Sequence, residues 1–461
     1  MANYIAEPFK IKAMEPLRVT TPEYRRERIE AAGYNPFSLR AEDVYIDLQT
    51  DSGTGALSDR QWASLLIGDE SYSGGRSYYK LLDTARALFG EDYYIQPVHQ
   101  GRAAEKVLFP ALIEPGQHVV SNTLFDTTRG HVGLAGGVPV DLVTEAGRHP
   151  AVPADFKGDI DIPALKEFIA AKGADSIAAV MITITNNSLG GQPVAIANMR
   201  EARRVADRHG LPLLLDAARF AENAYFVKRR EPEFADASIS EIVQETFALA
   251  DAFTISAKKD GLVNIGGLLG VRDHPALTAA VKSSVVAMEG FLTYGGLAGR
   301  DLEALAVGLT EAVDEDLLRY RIGQVQYLGA RLEEAGIVHQ TPVGGHGVFV
   351  DAAAFLPHLA WHEFPGHALA IELYVEAGIR AADIGSLLLD PDPVTGEAQR
   401  AVAEFTRLAI PRRVYTQAHL DVVADALIAI KDRAADVPGY EIVEQAKVLR
   451  HFTARLRPIT R

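Results

Sequence analysis

The sequence predicts an α/β protein built on a mostly parallel sheet. Three observations carry this: strands and helices alternate through the middle of the chain, the strands are unbroken apolar runs, and the runs end in polar residues. The segment DIPALKEFIAAKG (161–173) is predicted to be a helix, with Asp161 placed to cap it, Pro163 in its first turn and Gly173 just past its end. IAAVMITITNN (177–187) is rich in β-branched residues and leads into Gly190-Gly191, the pattern of a buried parallel strand. A helix over 195–209 follows and is stopped by Gly210. LPLLLDAAR (211–219) and ADAFTISAKKD (250–260) supply two more buried strands, which deliver Asp216, Ser256 and Lys259 at their carboxyl ends. Right-handed crossovers bring such ends to one edge of the sheet, where open α/β folds bind ligands.

Downstream, residues 301–336 read as a long amphipathic helical stretch, continuous or broken once and closed by Gly336. GVFVDA (347–352), a helix near 365–377 and a strand at RLAIP (407–411) predict a smaller α/β domain, which the first fifty or so residues complete. The expected division is 1–56 as N-terminal arm and part of the small domain, 57–310 as the large domain, and 311–461 as connecting helix and small domain.

Composition narrows the function. The 461 residues carry 46 Lys and Arg against 61 Asp and Glu, a formal charge of −15 that opposes nucleic acid as a partner. The apolar fraction of 48% is that of an ordinary globular chain. With 0 cysteines, disulfides, thiolate metal sites and thiol catalysis are excluded together. The opening MANYIAEPFKIKAMEP lacks an apolar core for a secretory signal, and no apolar run is long enough to span a bilayer, so a cytoplasmic protein without a membrane partner is expected.

A carboxylate at one strand end and a lysine at another suit one chemistry in particular. Asp216 can hold a proton on a pyridine nitrogen, and Lys259 can form an imine with an aldehyde, the pair that pyridoxal phosphate (PLP) enzymes need. HQGRAAE (99–105) puts Gln100, Gly101 and Arg102 directly before a helical pattern, which suits a phosphate.

The motifs also carry a resemblance. EPFKIK, TDSGTGA (50–56), GDESYSG (68–74), HQGRAAE, FDTTRGH (125–131), GGQPV (190–194), DAARFAENAYF (216–226), SAKKD (256–260), YGGLAGRD (294–301), RLAIPRR (407–413) and LRHFTARL (449–456) resemble, in order, the β-eliminating lyases, the family of tryptophan indole-lyase and tyrosine phenol-lyase. The resemblance implies the aspartate-aminotransferase fold (fold type I), with a mostly parallel seven-stranded sheet in the large domain and a smaller α/β domain. Lys259 is implied as the Schiff-base lysine and Asp216 as the partner of the pyridine nitrogen. Asn187 and Arg219 would bond the phenolic oxygen of the cofactor, Phe125 would stack on its ring, and Gln100, Gly101, Arg102 and Ser256 would hold its phosphate. Arg407, with Thr50 and Ser52, would bind the substrate carboxylate; Tyr72 would protonate the leaving group, and Lys258 would support proton transfer. A monovalent cation, K+, is implied at Gly53, Glu70 and Asn264, in a homotetramer. Ala103 and Ala218 depart from the family pattern beside cofactor ligands rather than on them.

The expected partner is a small-molecule substrate, the amino acid tryptophan, cleaved to indole, pyruvate and ammonia, with tyrosine as the alternative. Asp126, Ile384 and His451 stand where phenol-lyases resemble one another in having Thr, Arg and Phe. Expelling phenol requires a polarised ring hydroxyl, whereas an indole N–H needs an acceptor, which Asp126 or a neutral His451 supplies. The short stretch from Pro115 to Asn122 and RRVYT (412–416) resemble the phenol-lyases instead.

Overall fold

The computed structural model describes residues 6–391 and 395–460, so the first five residues of the opening segment lie outside the described residues. By internal contact the chain divides into two units. One contains residues up to Pro8, Ser52–Gly147 and Ala154–Ile322; the other contains Phe9–Asp51, Arg148–Pro153 and the chain from Gly323 on.

The first unit is built on a seven-stranded sheet: β1 (Tyr93–Val98), β2 (His118–Ser121), β3 (Val138–Asp141), β4 (Ile177–Thr183), β5 (Leu213–Asp216), β6 (Ala252–Ser256) and β7 (Gly267–Arg272). Their order is β1-β7-β6-β5-β4-β2-β3. Neighbours from β6 through β5, β4 and β2 to β3 pair in parallel, while β7 is antiparallel to both β6 and β1. The mostly parallel fold-type-I sheet is therefore present. All seven residues of β4 are buried, which explains its unbroken apolar run: a strand covered on both faces has no solvent side on which to alternate. Because β7 turns back against β6, the loop that joins them, 257–266, lies at the carboxyl end of β6 and carries Lys258 and Lys259 there.

The strands are shorter than the apolar runs that predict them, since polar ends peel into loops. β4 stops at Thr183, and Asn187–Leu189 forms a short turn of 3-10 helix. Helix α1 (Gly101–Leu112) follows β1, and α2 (Asp126–Leu134) follows β2. Helix α3 (Ile162–Lys172) begins as expected, with the Asp161 side chain accepting from Ala164 N at 2.9 Å. Helix α4 (Ile196–His209) ends at Gly210, whose φ of 65° is the left-handed conformation that glycine adopts without penalty. The long helical stretch is broken into α5 (Gly299–Ala312) and α6 (Glu315–Glu334), where the Asp314 carboxylate accepts from Asp316 N at 2.9 Å and Leu317 N at 3.1 Å and starts a new helix.

The second unit contains β8 (Gly347–Asp351), α7 (Pro365–Ala377), β9 (Ala382–Ile384) and β10 (Phe405–Ala409), with the antiparallel order β9-β10-β8. From the start of the chain, Ile46–Asp47 pairs in parallel with Ile379–Arg380, and the Arg380 guanidinium binds the Asp47 carboxylate. No helix among the described residues is long and apolar enough to cross a membrane.

Candidate active site

The carboxyl edge of the first unit's sheet builds an anion cradle. Gln100 precedes α1 without capping it by its side chain, and its carbonyl accepts from Ala103 N at 3.0 Å, so the ligand-facing part of the helix start is the stretch Gly101–Arg102 that precedes that bond. Gly101 is required for the approach of this helix to β6. A Cβ on Gly101 would lie 2.7 Å from Ser256 Cβ and 3.0 Å from Ser256 Cα. Glycine, Arg102, the helix start and the Ser256 hydroxyl together have the chemistry of a phosphate site. Sequence had named all four.

Around it lie the groups for an aromatic aldehyde cofactor. Burial raises the Asp216 carboxyl above its ordinary value, and the charges of Lys259 and Arg219 oppose that rise. Asn187 is buried just past β4, Arg219 is buried at the head of the helix Phe220–Arg230, and Phe125 precedes α2. Asp260, for which the sequence suggested no role, accepts from Ala221 N at 2.8 Å and Glu222 N at 3.0 Å and so ties the lysine loop to the helix that Arg219 heads. Lys258 Nζ donates to Gln100 Oε1 at 3.3 Å, and the Gln100 amide contacts His99 Nε2 at 2.9 Å. His99 Nδ1 in turn meets the carboxylate of Glu289. This relay from Lys258 to Glu289 was invisible in sequence: HQGRAAE and SAKKD hold three of its members, but nothing in the chain pairs them with one another or with Glu289, 190 residues from His99.

Other expected residues have different surroundings. Tyr72 is 71% exposed, its ring stacked on Phe291 at 5.7 Å and edge-on to Tyr294 at 5.5 Å. Of the three cation residues, Gly53 and Asn264 are adjacent, with Asn264 Nδ2 donating to Gly53 O at 2.9 Å. Glu70 is instead held by Arg300 at 2.7 Å.

In the second unit Arg407 lies on β10 opposite Ala382, and Ile384 lies opposite Phe405, so Arg407 and Ile384 project from one sheet face. Arg407 Nη2 donates to Gln49 O at 2.8 Å, and Arg412 pairs with Asp51 at 2.9 Å in a buried ion pair, which fixes the chain on either side of Thr50. His451 is buried, its ring 4.0 Å from Phe452, and desolvation lowers its pKa to about 4, so the imidazole is neutral at pH 7. Arg450 donates to Ser386 O at 2.9 Å and Leu387 O at 3.1 Å, and Asp390 accepts from Leu449 N at 2.7 Å and Arg450 N at 3.0 Å. The His451 segment and the loop after Ile384 are thus one hydrogen-bonded piece. Sequence had paired the two positions by resemblance alone.

A phosphate cradle, a charge-coupled Asp216–Lys259 pair and buried Asn187 and Arg219, on a sheet of this topology, define a fold-type-I PLP enzyme, and the residues fit that cofactor. The fold is shared with threonine aldolase of Leishmania major, at a TM-score of 0.58 with 15% identity over 84% of this chain and 99% of that one. The model of the beta-eliminating lyase family matches residues 47–426, and the chain belongs to that family. It is 48% identical to tyrosine phenol-lyase of Symbiobacterium thermophilum over 99% of both chains, and 49% identical to tryptophanase of Salinibacter ruber over 98% of this chain and 96% of that one. Relatives named tyrosine phenol-lyase outnumber those named tryptophanase, so by name the relatives support tyrosine, the alternative, better than tryptophan.

Proposed function

We propose that the chain cleaves the Cβ–Cγ bond of an aromatic amino acid, with tryptophan as substrate and indole, pyruvate and ammonia as products. The cofactor would supply an electron sink for the pair left when the α-proton is removed. Lys259 would hold the cofactor and then move that proton. Asp216 would keep the pyridine nitrogen protonated, Arg219 and Asn187 would hold the phenolic oxygen, and Phe125 would cover the ring. Arg407, its guanidinium steadied by Gln49 O, would clamp the substrate carboxylate, aided by Thr50 and Ser52. Tyr72, exposed in the single chain, would protonate the departing ring if a second chain covers it, which the homotetramer implied by resemblance would allow. The same assembly would have to complete any K+ site.

The observation that carries tryptophan over tyrosine is the pair Ile384 and neutral His451. An apolar side chain shares the sheet face of Arg407, and a neutral imidazole able to accept a hydrogen bond is tied to the loop that follows it. Neither group supplies the fixed cation that would polarise a phenol hydroxyl. The names of the relatives favour the second reading, tyrosine to phenol. Identities of 48% and 49% separate the two by less than a few pocket residues do. Steady-state kcat/KM for tryptophan and tyrosine on one preparation decides: higher efficiency with tryptophan is expected, and higher efficiency with tyrosine overturns the substrate reading.

A further inference from the structure

Glu105 stands inside the site and has no part in the mechanism above. It lies one turn into α1, is buried, and accepts a hydrogen bond from Thr128 Oγ1 of α2 on Oε1, while Oε2 is buried with no hydrogen-bond partner. The two helices it joins begin with the phosphate residues Gln100 to Arg102 and with Phe125 and Asp126. A buried, unpartnered oxygen of a carboxylate is costly, whereas the same oxygen as a carboxylic O–H holds no charge.

We propose that Glu105 is a positioning residue that works as a neutral carboxylic acid, bracing α2 against α1 and leaving Asp216 as the one ionised carboxylate beneath the cofactor ring. This rests on the proposed role of Asp216. The ionisable groups that act on Glu105 are Asp216 at the end of β5, Asp126 at the head of α2 and Lys259 in the loop after β6. Burial and the charge of Asp216 push the Glu105 carboxyl up to about 8, with the Thr128 hydroxyl and Lys259 opposing. Were Glu105 ionised instead, two carboxylates in one desolvated site would repel, and Asp216 would tend to keep the proton that pairing with a pyridinium requires it to give up.

The test uses Glu105→Gln, which mimics the neutral acid in shape and hydrogen bonding. In the cofactor-free protein the acid is ordinary, near 4.5, when unfolded and raised to about 8 when folded. Its stabilising contribution is therefore complete at low pH and is lost as pH rises through that window. Glutamine has no such loss, so the stability of E105Q relative to wild type is expected to grow between about pH 5 and pH 8, by at least tenfold in the unfolding equilibrium, and then to level off. An infrared carboxylic-acid C=O band present in wild type at pH 7 and absent in E105Q is expected beside it. The affinity of E105Q for pyridoxal phosphate at pH 7 should stay within about threefold of wild type. A constant stability difference across pH, or a loss of cofactor affinity of tenfold or more in E105Q, overturns the proposal, because either would mean that the charged form is the working one. Failure of the Asp216 role reads out separately: Asp216→Asn would then bind cofactor as wild type does, while the Glu105 stability window and infrared band, measured without cofactor, would still be seen.

Discussion

Replacing Gly101 by alanine tests the phosphate cradle at the point where the structure leaves no room. The new Cβ would lie 2.7 Å from Ser256 Cβ, 3.0 Å from its Cα and 3.1 Å from its N, all in the backbone or stem of β6 rather than at a flexible tip. Ordinary carbon contacts start near ~3.5 Å, so the head of α1 must retreat by roughly 0.8 Å. Overpacking of this kind costs about 1 to 3 kcal/mol in fold stability. The larger effect falls on the ligand, because a retreat of that size takes first-turn N–H groups out of hydrogen-bonding range of a phosphate. Each such bond to a charged group contributes about 1.5 to 3 kcal/mol, so losing one or two predicts a cofactor affinity lower by roughly 10- to 10⁴-fold. The assay is absorbance titration of cofactor-free protein with pyridoxal phosphate and, separately, with pyridoxal. The variant should lose affinity for the first and much less for the second. Equal affinities of G101A and wild type for pyridoxal phosphate, in a folded variant, would refute the cradle.

Lys259→Ala should abolish covalent attachment of the cofactor; borohydride reduction and peptide mapping of wild type should find the pyridoxyl group on Lys259, and its appearance on Lys258 would reverse the assignment. Arg407→Ala should lower kcat/KM for amino acids with a free carboxylate by about 2 to 5 kcal/mol in transition-state terms, and unchanged kinetics would remove Arg407 from substrate binding. For His451→Phe, tryptophan turnover should fall more than tyrosine turnover; an unaffected tryptophan rate would exclude the imidazole from recognition. His451 is also held near 4, below its ordinary 6.5, so its contribution to stability is present above about pH 6.5 and lost as pH falls toward 4, up to about 3 kcal/mol. Thermal unfolding of wild type and H451F from pH 7 to pH 4 should show the variant losing less, and parallel curves would contradict a buried neutral imidazole.

Much of this was legible in the chain, and the rest was hidden for physical reasons. β4, β5 and β6 announce themselves because strands buried on both faces are continuous apolar runs. β1 does not, since Gln96 and Pro97 interrupt YYIQPV; Gln96 is tolerated because its amide donates to Pro97 O and Leu292 O inside the fold, and Pro97 because β1 is an edge strand of the sheet. Asp216, Lys259 and the Gly101 loop could be read because the chemistry of the cofactor demands those residue types at strand ends. Glu105, His99 and Glu289 could not, because their significance lies in which partner a fold brings to them over 23 and 190 residues of chain. Asp383 and Glu404 were equally silent. They are two neighbouring carboxyls beside Ile384, Glu404 buried and bonded by Ser386, Asp383 half-buried, and desolvation raises both, Asp383 furthest.

The bonds from Arg450 to Ser386 and Leu387, and from Asp390 back to Leu449 and Arg450, have a consequence for anyone who would redirect this enzyme. Residues 384 and 451 are 67 positions apart in the chain, yet they cannot be varied as independent dials. A bulky or charged side chain at 384 that displaces the loop is expected to strain its bonds to Arg450 and, through them, to shift the ring at 451. Single exchanges at either position should therefore damage the old specificity before they create a new one. The practical unit of change is the cassette 382–390 together with 449–452, moved as one.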